Sequence, residues 1–227
     1  MRWQVQLQSQ LGRGASVFEL DIAFTSNASR LVLFGPSGAG KTQTLMMMSG
    51  LTTPQQGKVS FNETPLFDSS SQLNITTRQR GLGYVFQDYA LFPHLTVRQN
   101  MAFALQRGWR NPARVHNDSS VAHWLAVFQL QSVGNLYPEQ LSGGQRQRTA
   151  LARALVAQPR ALLLDEPFAA MDRPLRQRLR EELLQLQEEL SLPMVLITHD
   201  DEDVQAFAQE VIHIEHGKVI SDSTPYG

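Results

Sequence analysis

The amino-acid sequence predicts an α/β domain: a mostly parallel sheet with an antiparallel β-region at its N-terminal end and an inserted helical subdomain. Three patterns predict this class. Two early stretches alternate apolar and polar residues, short continuous apolar runs alternate with helical segments, and the middle of the chain has helical periodicity. The chain has 227 residues, of which 42% are hydrophobic. This length suits one substantial domain better than two independent ones.

Two alternating stretches form the predicted antiparallel β-region. Residues 3–7 and 18–24 have apolar side chains at every second position, and a turn around Gly12 and Gly14 separates them. Residues 31–34 are instead a continuous apolar run that stops at a glycine. Such a run is typical of a strand buried on both faces of a parallel sheet.

A helix and two more strands follow. The helix is predicted over 41–48, because Gly50 and Pro54 then end it. Residues 59–61 and 83–86 have the short apolar pattern of strands.

The middle of the chain is predicted to be helical. Residues 97–106 and 121–130 have apolar side chains at helical spacing, and a helical pattern over 146–157 is stopped by Pro159. We interpret 108–118 as an exposed loop. The division that we expect within the single domain 1–227 is a core of 1–87 and 159–227 and a helical subdomain, including the helix 146–157, of about 88–158.

The last third returns to alternating strands and helices. The predicted elements are a buried strand at 161–164, an amphipathic helix at 173–190, a strand at 194–198 and a hairpin of 211–214 with 218–220.

Bulk properties narrow the function. The formal net charge of −1 gives no sign of a nucleic-acid or anionic-membrane surface. Cysteine is absent, which excludes disulfides, thiolate nucleophiles and cysteine-ligated zinc and suits a reducing cytosol. The N-terminal residues alternate like a strand and do not form an export signal. The apolar runs are shorter than the roughly 18 residues that cross a bilayer, so any membrane role is expected to be peripheral.

A phosphate-binding motif follows the first buried strand. It consists of Gly35, Pro36, Ser37, Gly38, Ala39, Gly40, Lys41 and Thr42, which match G-x-x-x-x-G-K-[ST] between a strand and a helix. Its glycines let backbone N–H groups converge on phosphate oxygens, and the helix N-terminus adds its positive dipole end. Lys41 supplies a positive charge for the β- and γ-phosphates, and Thr42 offers a hydroxyl to Mg²⁺. The alternative, a chance glycine-rich turn, does not explain the flanking strand and helix.

Two carboxylates end a later apolar strand. Asp165 and Glu166 follow residues 161–164, at the sheet edge where α/β proteins place their ligands. Asp165 suits Mg²⁺, and Glu166 suits polarising the water that attacks a γ-phosphate. The alternative is an acidic strand end capped by solvent.

A second anion-binding helix start decides the family. Leu141 precedes Ser142, Gly143, Gly144 and Gln145, just before a predicted helix. With this segment the sequence resembles the ATP-binding subunits of ABC transporters, whose signature has these five residues. The resemblance extends over essentially the whole chain.

The resemblance implies roles for further residues. Gln87 matches the glutamine that touches Mg²⁺ and the attacking water, and His199 matches the switch histidine on the γ-phosphate. The segment 169–172, ending in Asp172, resembles the loop through which two subunits sense each other. The family usually stacks adenine on an upstream aromatic residue, which is missing here. Arg13 or Phe18 are the candidates for that contact.

The resemblance also implies partners and a mechanism. ATP with Mg²⁺ would close a homodimer in which each nucleotide lies between one phosphate loop and the signature segment of the other copy, and hydrolysis would reopen it. The partner would be an integral membrane permease at the cytoplasmic face of the inner membrane, with a periplasmic or extracellular substrate-binding protein acting indirectly and no nucleic acid.

The cargo is expected from resemblance alone. Residues 83–88 and 91–94 look most like molybdate-importer ATP-binding subunits, although sulfate, iron and polyamine importers share much of this pattern. Such relatives often carry a C-terminal oxyanion-sensing domain, for which the 227 residues leave no room. We therefore expect either that feedback inhibition by the cargo is absent or that the sequence is part of a longer chain. Two other classes stay open: a soluble ABC switch ATPase in DNA repair or translation, and a non-catalytic nucleotide-binding scaffold. Glu166 and His199 argue against the scaffold.

Overall fold

A computed structural model describes residues 2–12, 17–106, 111–112, 118–169, 171 and 173–225, with side chains up to residue 220. Within these residues the chain forms eleven strands and seven α-helices. All eleven strands belong to one sheet.

Five strands form the antiparallel β-region. They are β1 (Trp3–Leu11), β2 (Phe18–Ser26), β4 (Gln56–Phe61), β5 (Thr64–Asp68) and β6 (Leu73–Asn74), in the spatial order β6-β5-β4-β1-β2. Alternate side chains of β1 and β2 are buried, as period-two patterning requires. The predicted β-region is therefore confirmed, and it is larger than the sequence indicated.

The other half of the sheet is a parallel core. Its strands β10 (Glu210–Glu215), β3 (Arg30–Phe34), β9 (Met194–Thr198), β8 (Ala161–Asp165) and β7 (Leu82–Val85) lie side by side in that order. Every residue of β8 and β9 is buried, which confirms the interpretation of continuous apolar runs as central parallel strands.

The two halves meet at one narrow seam. Strand β11 (Lys218–Pro225) pairs antiparallel with β10 and touches β2 through a single parallel pairing, Lys218 with Asp21. The amide of Asp21 also donates to the carbonyl of Gly217 at 2.7 Å. No other pairing of adjacent strands in the described sheet is as short.

Helices cover both faces of the sheet. They are α1 (Lys41–Ser49), α2 (Thr77–Arg80), α3 (Val97–Phe103), α4 (Ser119–Val127), α5 (Gly143–Leu155), α6 (Arg173–Leu190) and α7 (Asp201–Phe207). Side chains of β3 alternate between two cores: Val32 packs with the helices α3 to α7, whereas Leu31 and Leu33 pack with α1 and the β-region. The described residues between 88 and 158 are helices, 3₁₀ turns and loops, as expected; their status as a separate subdomain stays a prediction.

Helices α3 and α4 each end three residues earlier than the periodicity suggested. Helix α3 stops at Phe103 rather than 106, because the next three amides form i→i+3 bonds that tighten the last turn. Helix α4 stops at Val127 rather than 130. There Gln129 adopts a left-handed conformation (φ 54°) and the Leu130 amide bonds back to the Leu125 carbonyl, the arrangement that usually employs glycine.

None of the helices in the described ranges combines the length and the apolar character required to span a membrane.

Candidate nucleotide site

The phosphate loop connects β3 to α1 and presses against the neighbouring strand. At Gly35, φ is 154° and an added Cβ would lie 2.0 Å from the carbonyl oxygen of Ile214 in β10. Only glycine tolerates so close an approach. The loop is also tied internally, since the Ala39 amide donates to the Pro36 carbonyl at 3.2 Å. The motif therefore has a fixed backbone at the carboxyl edge of the parallel core.

Lys41 is buried within this loop. Only 4% of the residue is exposed, and its Nζ donates to the carbonyls of Gly35 at 2.7 Å and Pro36 at 2.8 Å. Burial lowers the pKa of Lys41, while Glu166 and Asp165 nearby act to raise it. The ammonium group is held close to both carboxylates of the site.

Asp165 lies at the end of β8, directly beside the phosphate loop. Its Oδ1 accepts a hydrogen bond from the Thr42 hydroxyl at 2.9 Å, and its Oδ2 accepts one from the Tyr84 hydroxyl at 3.1 Å. Burial raises the pKa of Asp165, and the two hydroxyl groups partly oppose that rise. The structure thus brings together Thr42 and Asp165, two of the three residues predicted to hold Mg²⁺.

Tyr84 is a site residue that sequence reasoning missed. It lies on β7, three residues before Gln87, and its hydroxyl reaches the carboxylate of the neighbouring strand. Burial, with the charge of Asp165 next, raises the pKa of Tyr84, so the phenol stays protonated and donates. The sequence predicts a strand around Tyr84, but the pairing that brings this strand next to Asp165 is visible only in the structure.

Glu166 brings the three predicted catalytic residues into contact. Its Oε2 accepts from Gln87 Nε2 at 3.2 Å, and its Oε1 lies 3.1 Å from His199 Nδ1. The two partners come from the ends of β7 and β9, on either side of β8. The backbone of Glu166 is left-handed, with φ at 44°, a strained conformation that often marks functional positions. The carboxylate is fixed from both sides.

A cavity of about 540 Å³ opens over the phosphate loop. It is lined by Leu11, Gly12, Phe18, Ser37, Gly38, Ala39, Gly40, Lys41, Thr42, Gln43, Gln87 and Glu166. Phe18 also lies against the loop, because a Cβ on Gly40 would come within 3.3 Å of its ring. The cavity therefore joins the backbone of residues 37–40, a carboxylate and one aromatic side chain.

The signature segment lies at the start of α5. Ser142 caps this helix, accepting from the Gln145 amide at 3.3 Å, while the Gln145 side chain accepts from the Ser142 amide at 2.9 Å. This capping box starts the helix at Gly143, three residues earlier than predicted. Ser142 is exposed, and no atom lies within 4 Å of a Cβ added to Gly143. Among the described residues, the cavity lining includes none of Ser142 to Gln145.

Two residues predicted for the site lie outside the described part of the chain, namely Asp172 and Arg13. Their roles stay predictions. Met171 is described, and it packs against the core on the helical side of the sheet.

Comparison with known proteins identifies relatives of similar sequence. The sulfate/thiosulfate import ATP-binding protein CysA of Synechocystis sp. is 45% identical over 189 residues, covering 83% of this chain and 51% of that protein. CysA of Synechococcus elongatus is 40% identical over 97% of this chain and 61% of its own length. The chain thus spans between half and two thirds of the length of these relatives.

Solved structures agree with the fold. A dimeric structure of the ATP-binding cassette MJ0796, in a post-hydrolysis state bound to ADP and Pi, matches with a TM-score of 0.80, 26% identity and coverage of 98% of both chains. A second dimeric structure of that bacterial ABC transporter cassette matches with a TM-score of 0.81. The family model described as ABC transporter matches residues 21–169, and the chain belongs to the ABC transporter family.

Proposed function

We propose that this chain binds ATP with Mg²⁺ and hydrolyses it as the energising subunit of an importer. The observation that carries this proposal is the position of Glu166. Its carboxylate borders the cavity over the phosphate loop and is held by Gln87 and His199 at 3.2 and 3.1 Å. A carboxylate so placed suits orienting and polarising a water at the γ-phosphate.

The residues beside the loop fit Mg²⁺. Thr42 and Asp165 present oxygens 2.9 Å apart at the start of α1 and the end of β8, and Gln87 adds an amide oxygen at the same edge. Mg²⁺ prefers such oxygen ligands and keeps several waters. When bound with ATP, the ion would neutralise phosphate charge.

The protein groups divide the work of hydrolysis. Lys41, which donates to two loop carbonyls, has the charge and reach to donate to phosphate oxygens instead. Glu166 accepts a hydrogen bond from the attacking water, and Gln87 and His199 hold the carboxylate in place. The water oxygen forms a bond to the γ-phosphorus and gives a proton to the Glu166 carboxylate. The bond between the γ-phosphorus and the bridging oxygen breaks, that oxygen leaves on ADP, and the proton passes on to the products, so the step yields ADP and phosphate.

A homodimer would complete the site. The exposed start of α5 at Ser142 has free space around Gly143, as expected for an anion-binding helix N-terminus that faces another copy. We propose that ATP is bound between this segment of one copy and the phosphate loop of the other, which the dimeric structures of the related cassette support.

The relatives favour sulfate or thiosulfate as the cargo, rather than the molybdate expected from sequence resemblance. Eight similar curated proteins from bacteria, an alga and a plant carry sulfate/thiosulfate import names. Sulfate is the first of the alternative cargoes that the sequence pattern left open. We propose that the chain works at the cytoplasmic face of a membrane with a permease, which receives cargo from a binding protein.

Replacing Glu166 by Gln tests the catalytic assignment. Because the amide cannot act as a base, we expect ATP turnover to fall on the order of 100-fold, while ATP binding persists and a dimer accumulates. Phosphate release and size-exclusion chromatography with ATP measure the two effects. Glu189→Gln, an exposed position on α6, is the matched control. Undiminished turnover in Glu166→Gln contradicts the assignment.

Reconstitution with a permease tests the cargo. Proteoliposomes that hold this chain, its permease and the binding protein are expected to take up labelled sulfate when loaded with ATP. Uptake of molybdate, with no uptake of sulfate or thiosulfate, would restore the original expectation.

A further inference from the structure

A buried ion pair joins α6 to α7, the helix that follows the turn carrying His199. Arg180 of α6 and Asp203 of α7 have side chains only 8% and 5% exposed. Arg180 Nε donates to Asp203 Oδ1 at 3.0 Å, and a second guanidinium nitrogen donates to the same oxygen. A buried carboxylate needs such hydrogen-bond donors. Both arginine bonds go to Oδ1 of Asp203, so Oδ2 is available to a different donor.

Oδ2 of Asp203 binds the residue before His199. Asp203 Oδ2 accepts from the Thr198 hydroxyl at 2.8 Å, and the same hydroxyl accepts from the Asp200 amide at 3.1 Å. Thr198 is the last residue of β9 and is buried. The hydroxyl therefore joins both neighbours of His199, and the ion pair fixes the direction in which the hydroxyl donates.

A second arginine of α6 holds the other side of the turn. Arg176 pairs with Asp200 Oδ2, while Asp200 Oδ1 accepts from the Glu202 amide at 2.8 Å and caps α7. Arg176 and Arg180 are one helical turn apart, so they lie on the same face of α6. The two flanks of His199 are thus held by one rigid element, whereas the imidazole itself is 51% exposed.

We propose that Thr198, Asp203 and Arg180 are positioning residues for ATP hydrolysis, which act by holding His199 against Glu166. The proposal rests on the proposed function. An exposed imidazole has few contacts of its own, so the geometry of its backbone decides whether Nδ1 stays 3.1 Å from the carboxylate. Thr198 does not line the nucleotide cavity, so loss of its hydroxyl frees this backbone without removing any group that faces the cavity.

A double-mutant cycle tests the proposal. Thr198→Val keeps the branched shape of the strand residue and removes the hydroxyl, so we expect kcat for ATP hydrolysis to fall by about 5- to 10-fold with less than about a 2-fold change in KM. In a His199→Ala background, the same change should lower the residual kcat by less than about 2-fold, because the group being positioned is gone. Thr198→Ser, which keeps the hydroxyl, should restore kcat to within about 2-fold of the wild type.

A threonine hydroxyl in another part of the fold provides the matched control. Thr77→Val removes a hydroxyl that donates to the Gly50 carbonyl at 2.6 Å, far from the site, and should leave kcat unchanged. An equal loss from Thr198→Val in both backgrounds, or no loss in the wild type, overturns the positioning role and leaves the proposed function intact. If His199→Ala alone has no effect on turnover, the proposed catalytic role of His199 fails as well. Should Thr198→Val not fold, the cycle is run with Thr198→Ala, which removes the same hydroxyl from Asp203.

Discussion

Arg80 provides a stability prediction that can be worked from the structure. This arginine is completely buried. It donates to the carbonyls of Ile75 at 2.9 Å and of Met47 and Met48 at 2.8 Å each, and to Asn74 Oδ1 at 3.1 Å. Two of these carbonyls end α1, where a cation also meets the negative end of the helix dipole. Burial lowers the pKa of Arg80, yet a guanidinium remains charged.

The expected loss in the free energy of unfolding follows from these four hydrogen bonds. Each bond to a charged donor contributes about 1.5–3 kcal/mol, and the cost of burying the guanidinium offsets several kcal/mol of the total. Arg80→Met removes the guanidinium from all four acceptors, of which the Met47 carbonyl keeps the Gly50 amide as a donor at 3.2 Å. We expect the free energy of unfolding to fall by about 3–5 kcal/mol.

Urea denaturation followed by circular dichroism measures this loss. Arg78→Met, at an exposed position of the same helix, should change the free energy of unfolding by no more than about 0.5 kcal/mol. A loss below about 1 kcal/mol for Arg80→Met would show that the buried hydrogen bonds do not anchor α1.

Three further predictions concern the site. Gly35→Ala places a methyl group 2.0 Å from the Ile214 carbonyl oxygen, and it should weaken ATP binding and lower Tm in thermal scans. The control Gly38→Ala, with no atom within 4 Å of the new methyl group, should cost only about 1 kcal/mol of backbone strain. Equal losses of stability in the two variants would refute the clash at Gly35. Burial raises the pKa of Asp165 above its ordinary value of 3.8, so its contribution to stability is present below that value and is lost as pH rises through the raised pKa. The Tm of Asp165→Asn relative to the wild type should therefore be higher at neutral pH than at acid pH, and a difference that does not change with pH refutes this. Phe18→Ala should raise the Kd of a fluorescent ATP analogue by about 10-fold, and an unchanged Kd would show that adenine is held elsewhere.

Much of the parallel core was predictable because a strand that is buried on both faces has a continuous apolar run in the sequence. The strands predicted over 31–34, 161–164 and 194–198 are present, with bounds that differ by at most one residue at either end. Polar residues at their carboxyl ends then had to converge, since parallel strands end at one edge. The contacts of Glu166 with Gln87 and His199 agree with that expectation.

The elements that were missed lack periodic signals. Strand β5 contains a proline and follows a turn in which Asn62 and Glu63 both have positive φ, without the usual glycine. Helix α7 is short and acidic, and it is specified by the Asp200 cap. Tyr84 and Arg80 act through long-range contacts that neighbouring residues do not reveal. The molybdate expectation rested on short segments shared among several importers, so the physical pattern held no information about cargo.

The narrow seam between β2 and β11 has a mechanical consequence. One Cα pairing, with the Asp21 amide on the Gly217 carbonyl, joins the antiparallel half of the sheet to the half that ends at the carboxylates. Elsewhere in the described sheet, adjacent strands share at least two pairings. Few backbone hydrogen bonds therefore resist shear along this line, and the cohesion of the two halves comes instead from the apolar core that Leu31 and Leu33 share with α1 and the β-region.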